Sequence, residues 1–113
     1  MIMNYTLRAA GVALTLIVGC AGSVFAGPFE DGVNAYESGD YRTALRLWRP
    51  LAGRGNARAQ LNLGTMYDDG RGVPQSYAAA FRWYQRSAAL GNVKAQYNLG
   101  TLYYLATVFG RTM

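Results

Sequence analysis

The sequence predicts an all-α fold, a short solenoid of antiparallel helix pairs, on three observations. One phrase is written twice: residues 55–67 read GNARAQLNLGTMY and residues 91–103 read GNVKAQYNLGTLY, an offset of 36 with nine of thirteen positions identical. The helix-spaced set Tyr41, Ala44, Leu45, Trp48 and Ala52 returns at the same offset as Tyr77, Ala80, Phe81, Tyr84 and Ala88. Glycine-rich turns separate the helical stretches. Self-similarity at such a period marks an array whose units are single supersecondary elements, each needing its neighbours to cover its apolar face. At 113 residues the chain has room for one small domain.

Residues 1–26 stand apart. Ala9 to Ala26 is uncharged, follows Arg8, holds an apolar run from Val12 to Val18, and ends Val24-Phe25-Ala26 before Gly27-Pro28. That layout is read as a secretory signal peptide cleaved after Ala26, which sends the rest to the periplasm or outside the cell. Two alternatives stand beside it. Ile17-Val18-Gly19-Cys20 resembles a lipobox, which makes the product an envelope lipoprotein anchored at Cys20; a retained membrane helix is the other, interrupted by Gly11, Gly19 and Gly22. Cys20 is the one cysteine, so a chain cleaved after Ala26 has no disulfide and rests on packing alone. The net charge is +5, and losing Arg8 leaves a mild excess, well below the density of a nucleic-acid binder.

The first helix pair is expected over residues 27–55. Phe29, Val33 and Tyr36 recur at helical spacing after Pro28, and Gly39 ends the run. Asp40 is placed to cap the next helix. There Tyr41, Ala44, Leu45, Trp48, Leu51 and Ala52 form one stripe, with Arg42, Arg46 and Arg49 opposite. Pro50 should bend or fray its last turn, and Gly53 and Gly55 close it.

A complete unit follows over residues 56–91. Ala59, Leu63, Met66 and Tyr67 make the buried stripe, with Gln60 and Asn62 pointing elsewhere. Gly64 sits mid-helix, where glycine costs about 1 kcal/mol against alanine; its recurrence as Gly100 predicts a partner helix approaching too closely for a Cβ. Asp68-Asp69-Gly70-Arg71-Gly72 reads as a turn, and Val73 before Pro74 is held extended. Tyr77 to Ala88 gives the second helix, and Leu90-Gly91-Asn92 ends it.

The third unit, residues 92–113, is incomplete. Ala95, Leu99, Leu102 and Tyr103 match their counterparts, but Tyr104 to Phe109 replaces the glycine turn and no second helix follows. The apolar stretch from Leu102 to Phe109 is expected to associate with another chain or another copy. A truncated remnant of a longer repeat protein is an alternative reading.

The string GRGVPQSYAAAFRWYQRSAALG at 70–91, preceded by NARAQLNLGTMYDDG, resembles the Sel1-like repeat, a relative of the tetratricopeptide repeat. Matching residues include Ala59, Gln60, Leu63, Gly64, Tyr67, Gly70, Gly72, Val73, Ala80, Trp83, Tyr84, Ala88, Ala89 and Gly91. Ser76 stands where the family usually has Asp, and serine also caps. The resemblance implies helix–turn–helix units that bind other proteins as adaptors. Some secreted, cysteine-rich relatives are associated with penicillin binding or hydrolysis; those cysteines are absent here, so that activity is not carried over.

The inventory for catalysis is thin. There is no histidine, the only lysine is Lys94, and the six acids are Glu30, Asp31, Glu37, Asp40, Asp68 and Asp69. Adjacent Asp68 and Asp69 read as a solvated turn before they read as a cation site, and Ser76 and Ser87 as a cap and a surface residue. The expectation is a non-catalytic protein-binding module of a bacterial envelope, with no cofactor, no metal and no nucleic acid. Peptidoglycan binding is the alternative. Candidate protein-binding residues are Arg42, Arg46, Arg49, Arg82, Arg86 and Trp83, the last being either an inter-repeat contact or a surface anchor. Candidate packing residues are Ala59, Leu63, Gly64, Tyr67, Ala80, Tyr84, Ala88 and Gly100.

Overall fold

A computed structural model describes residues 27–110; the expectations for residues 1–26, Cys20 included, lie outside the described residues. Five helices occupy that range: α1 (Pro28–Glu37), α2 (Tyr41–Gly53), α3 (Ala57–Asp69), α4 (Tyr77–Ala89) and α5 (Val93–Phe109). Each packs on its neighbours in chain order. Loops at 38–40, 54–56 and 90–92 are too short for anything but reversal, so consecutive helices run antiparallel.

Local chemistry sets the boundaries. The side chains of Asp40, Asn56, Ser76 and Asn92 each accept a hydrogen bond from the backbone N–H three residues on, at 2.9–3.2 Å. Each such cap is worth about 1 kcal/mol. Hydrogen bonding from the Thr43 side chain, and then from its backbone N–H, holds the Asp40 carboxyl below its ordinary pKa. At the end of α1, Gly39 has φ +85°, and the N–H groups of Ser38, Gly39 and Asp40 reach back to the carbonyls of Asn34, Tyr36 and Ala35. That left-handed turn is why a glycine stands there.

Two expectations about termini are corrected. Pro50 does not fray the end of α2, which continues to Gly53; Pro50 and Arg46, whose carbonyl loses its N–H partner to the proline ring, are both exposed, so water can take the place of that bond. Asp68 and Asp69 belong to the last turn of α3, with Gly70 at φ +69° as the stop. In α5 the corresponding places hold Tyr104 and Leu105, so the helix runs on until Gly110 at φ +65°. The apolar tail is thus the final turns of a helix.

The core has two centres. Phe29, Ala44, Trp48, Ala52, Ala59, Leu63 and Met66 form the first, and Ala80, Tyr84 and Leu102 form the second. Trp48 stacks with the rings of Phe29 and Tyr36 at 5.9 and 5.8 Å and donates its indole N–H to the Phe29 carbonyl at 3.1 Å. Trp83 is half-buried against the first centre, and the Arg86 guanidinium covers its ring at 4.6 Å.

Glycine sets how the pairs close. A Cβ on Gly64 would lie 2.5 Å from the Tyr84 ring, and one on Gly32 would collide with the Trp48 indole. Trp48 and Tyr84 are repeat-equivalent, so both pairs use one device: an aromatic ring packed against the backbone of a glycine. Gly32 escaped the sequence reading because the first pair has a shorter turn. Gly100 departs from the expected packing role, since nothing stands within 4 Å of its Cβ position.

Two polar side chains were misplaced by the sequence reading. Gln60 is 2% exposed and donates Nε2–H to the Ala52 carbonyl at 3.0 Å, and Gln96 repeats the bond to Ala88 at 3.4 Å. The repeated glutamine therefore caps the end of the preceding helix. Ser87 is fully buried and donates to the Ala57 carbonyl at 2.7 Å. Ser87→Ala leaves that carbonyl unmatched and is expected to cost about 1–2 kcal/mol in chemical unfolding.

Candidate functional site

The first helices of the units, α1, α3 and α5, share a face, and two adjoining hollows run along it. One, of about 360 Å³, is lined by Val33, Tyr36, Glu37, Leu61, Asn62, Thr65 and Lys94, with Trp48 as floor. The other, of about 310 Å³, takes in Asp68, Asp69, Tyr84, Tyr97, Asn98 and Thr101 and shares Thr65 and Lys94 with the first. Together they form one groove.

Its chemistry follows from the repeat. Asn62 and Asn98 are equivalent members of the duplicated phrase, and each contributes an amide with two donors and an acceptor to its own hollow. Tyr84 is 1% exposed, and burial holds its hydroxyl well above the ordinary tyrosine pKa, so it stays protonated. It lies within 3.3 Å of both Thr65 Oγ1 and an Asp68 carboxylate oxygen, to which it can donate. Glu37, Asp68 and Asp69 bring negative charge and Lys94 brings positive, so the groove presents both signs. At its α1 rim, Arg71 donates to the Tyr36 hydroxyl at 2.8 Å and tilts over the Tyr36 and Tyr41 rings, tying the 70–76 loop back to the first pair.

The arginines predicted for binding lie elsewhere. Arg42, Arg46 and Arg49 on α2, and Arg82 and Arg86 on α4, are all exposed, and none lines the groove. These five arginines thus lie on the second helices, away from the amides, tyrosines, carboxylates and Lys94 that line the groove. The sequence reading missed the groove because it tracked apolar stripes. The available signal was an asparagine kept at both copies of a position that the stripe does not use.

Among the described residues no group of three or more histidine, cysteine, aspartate or glutamate side chains is placed to hold a metal ion. No helix among them is long and apolar enough to cross a membrane.

The family model described as Sel1 repeat matches residues 57–92 and 93–107. Among solved structures, the chain is similar to a Sel1 repeat protein from Oxalobacter formigenes, with 40% identity and a TM-score of 0.61 over 77% of this chain and 67% of that one. The chain belongs to the Sel1 repeat family. No curated protein matches it. Sel1 repeats generally mediate protein–protein interaction and are generally not catalytic. In Sel1 terms, α3 and α4 are one whole repeat and α5 opens the next.

Proposed function

We propose that this Sel1 repeat protein is a non-catalytic adaptor of the bacterial periplasm or envelope that holds a segment of another protein in the α1–α3–α5 groove. The observation that carries this reading is the groove itself: three successive first helices contribute to one trough whose walls alternate tyrosine, asparagine and charged groups. Such a wall suits a peptide, offering amide donors and acceptors for a backbone and apolar hollows for side chains. The envelope location rests on the signal-like character of residues 1–26. The exposed arginines of α2 and α4 serve as a second docking face toward an acidic partner or an anionic envelope surface.

Affinity capture from envelope extracts, read by mass spectrometry, tests the proposal against binding to purified peptidoglycan. The expected result is a protein retained by the wild type and lost with Asn62→Tyr, which fills the first hollow, while helicity and melting are preserved. Arg46→Glu with Arg82→Glu should weaken capture several-fold at low salt and far less at high salt. Retention on peptidoglycan without any protein partner would replace the adaptor reading by the alternative. Capture indifferent to Asn62→Tyr would remove the groove from it.

A further inference from the structure

The helix α5 buries Ala95 and Leu102 on one side and keeps Leu99 and Ala106 half-buried there. On the opposite side it carries a second apolar stripe: Val93, Tyr97, Gly100, Thr101, Tyr104 and Val108, all exposed. Tyr97 is 74% exposed, Tyr104 57%, Val93 75% and Val108 54%. Leu102, placed in the associating stretch by the sequence, is instead core. The Thr101 hydroxyl is spent on the Tyr97 carbonyl at 3.1 Å, within its own helix. The stripe carries no charge.

We propose that this stripe is a homodimer surface on which α5 pairs with α5 of a second copy, antiparallel, about a two-fold axis between Gly100 and Thr101. Three observations on the molecule select that occupant. The stripe is palindromic in chemistry about that point: Tyr97 meets Tyr104 of the second copy, Val93 meets its Val108, and the small Gly100 meets Thr101. A two-fold interface demands such self-complementarity. Gly100, with nothing within 4 Å of its Cβ position, lets the two backbones approach where they cross, as Gly64 does beneath Tyr84. The one charge on α5, Lys94, falls opposite Thr107 of the second copy, so like charges are kept apart.

Head-to-tail stacking onto α1 fits worse, because the exposed positions of α1 include Glu30, Asn34 and Glu37. Area agrees with a modest dimer. With 150–250 Å² for a whole aromatic side chain, the exposed parts of this stripe amount to roughly 550 Å² per copy, just above the ~1,000 Å² total that a specific interface needs. Tyr97 and Thr101 also line the second hollow of the groove, so the two readings share part of α5, and Asn62→Tyr on α3 tests the groove without touching the stripe.

Sedimentation of the protein purified from cells expressing the whole chain, between roughly 1 and 500 µM, tests it. The expected result is a monomer–dimer equilibrium with its midpoint in the tens of micromolar, and nothing larger. Tyr97→Lys or Tyr104→Glu alone should raise the dissociation constant at least about tenfold with helicity unchanged. The double variant Y97K/Y104E should restore dimerisation, since the two positions face each other across the axis. Monomer at every concentration would overturn the proposal, as would association untouched by either single change, a double variant no better than the singles, or growth into open-ended oligomers. A chain that stays monomeric and takes a different protein on this stripe would overturn it equally.

Discussion

Trp48→Ala is expected to remove about 4 kcal/mol of stability, enough to leave the first helix pair unfolded at ambient temperature. The indole is 2% exposed, fills the space over Gly32, stacks with two rings and satisfies the Phe29 carbonyl. Truncation removes all of that and leaves a cavity bordered by a glycine, which has no side chain to collapse into it. The loss should appear in denaturant melts as an early transition, because α1 meets the rest of the repeat mainly through α2. Trp48→Phe should lose less, about 1–2 kcal/mol, keeping the ring and losing the hydrogen bond. Equal stability of Trp48→Ala and wild type would mean that the first pair does not form as described.

The second large effect is a contrast between two copies of one motif. Gly64→Ala is expected to destabilise by about 2 kcal/mol net, whereas Gly100→Ala should stabilise by about 0.5–1 kcal/mol. Both glycines lie mid-helix, so alanine brings the same propensity gain at each. At Gly64 the new methyl meets the Tyr84 ring at 2.5 Å, and Tyr84 is itself fixed by burial and hydroxyl contacts. At Gly100 it meets open space. Melts at low concentration, where any pairing of α5 is dissolved, should show temperatures displaced in opposite directions, by about 4–8 °C per kcal/mol for a domain of this size. Shifts of the same sign would refute the claim that close helix approach fixes Gly64.

Much of the architecture was legible in the chain. Asp40 and Ser76 announced two of the helix starts because capping is a contact within three residues. The stripes from Tyr41 to Ala52 and from Tyr77 to Ala88 announced the buried faces because helical geometry alone brings those positions together. Gly64 was readable as a close approach because a costly residue had been written twice.

What could not be read depends on neighbours distant in sequence. Whether a polar residue off the stripe is solvated or buried turns on which helix arrives beside it, so Gln60 and Ser87, ordinary surface types by composition, became buried ties to Ala52 and Ala57. The groove stayed hidden for the same reason: Tyr36, Asn62 and Lys94 belong to three helices, and only stacking makes them one wall.

The sequence by itself determined the family and the helix pairs, since repetition, capping and periodicity are local and need no partner. The tertiary structure alone decided what each copy of the repeated phrase does. Gly64 and Gly100 are the same residue in the same phrase, yet one lies under a tyrosine and the other faces open space. That difference comes from α4, which brings Tyr84 onto Gly64 while nothing among the described residues approaches Gly100, a contact that no single stretch of sequence contains.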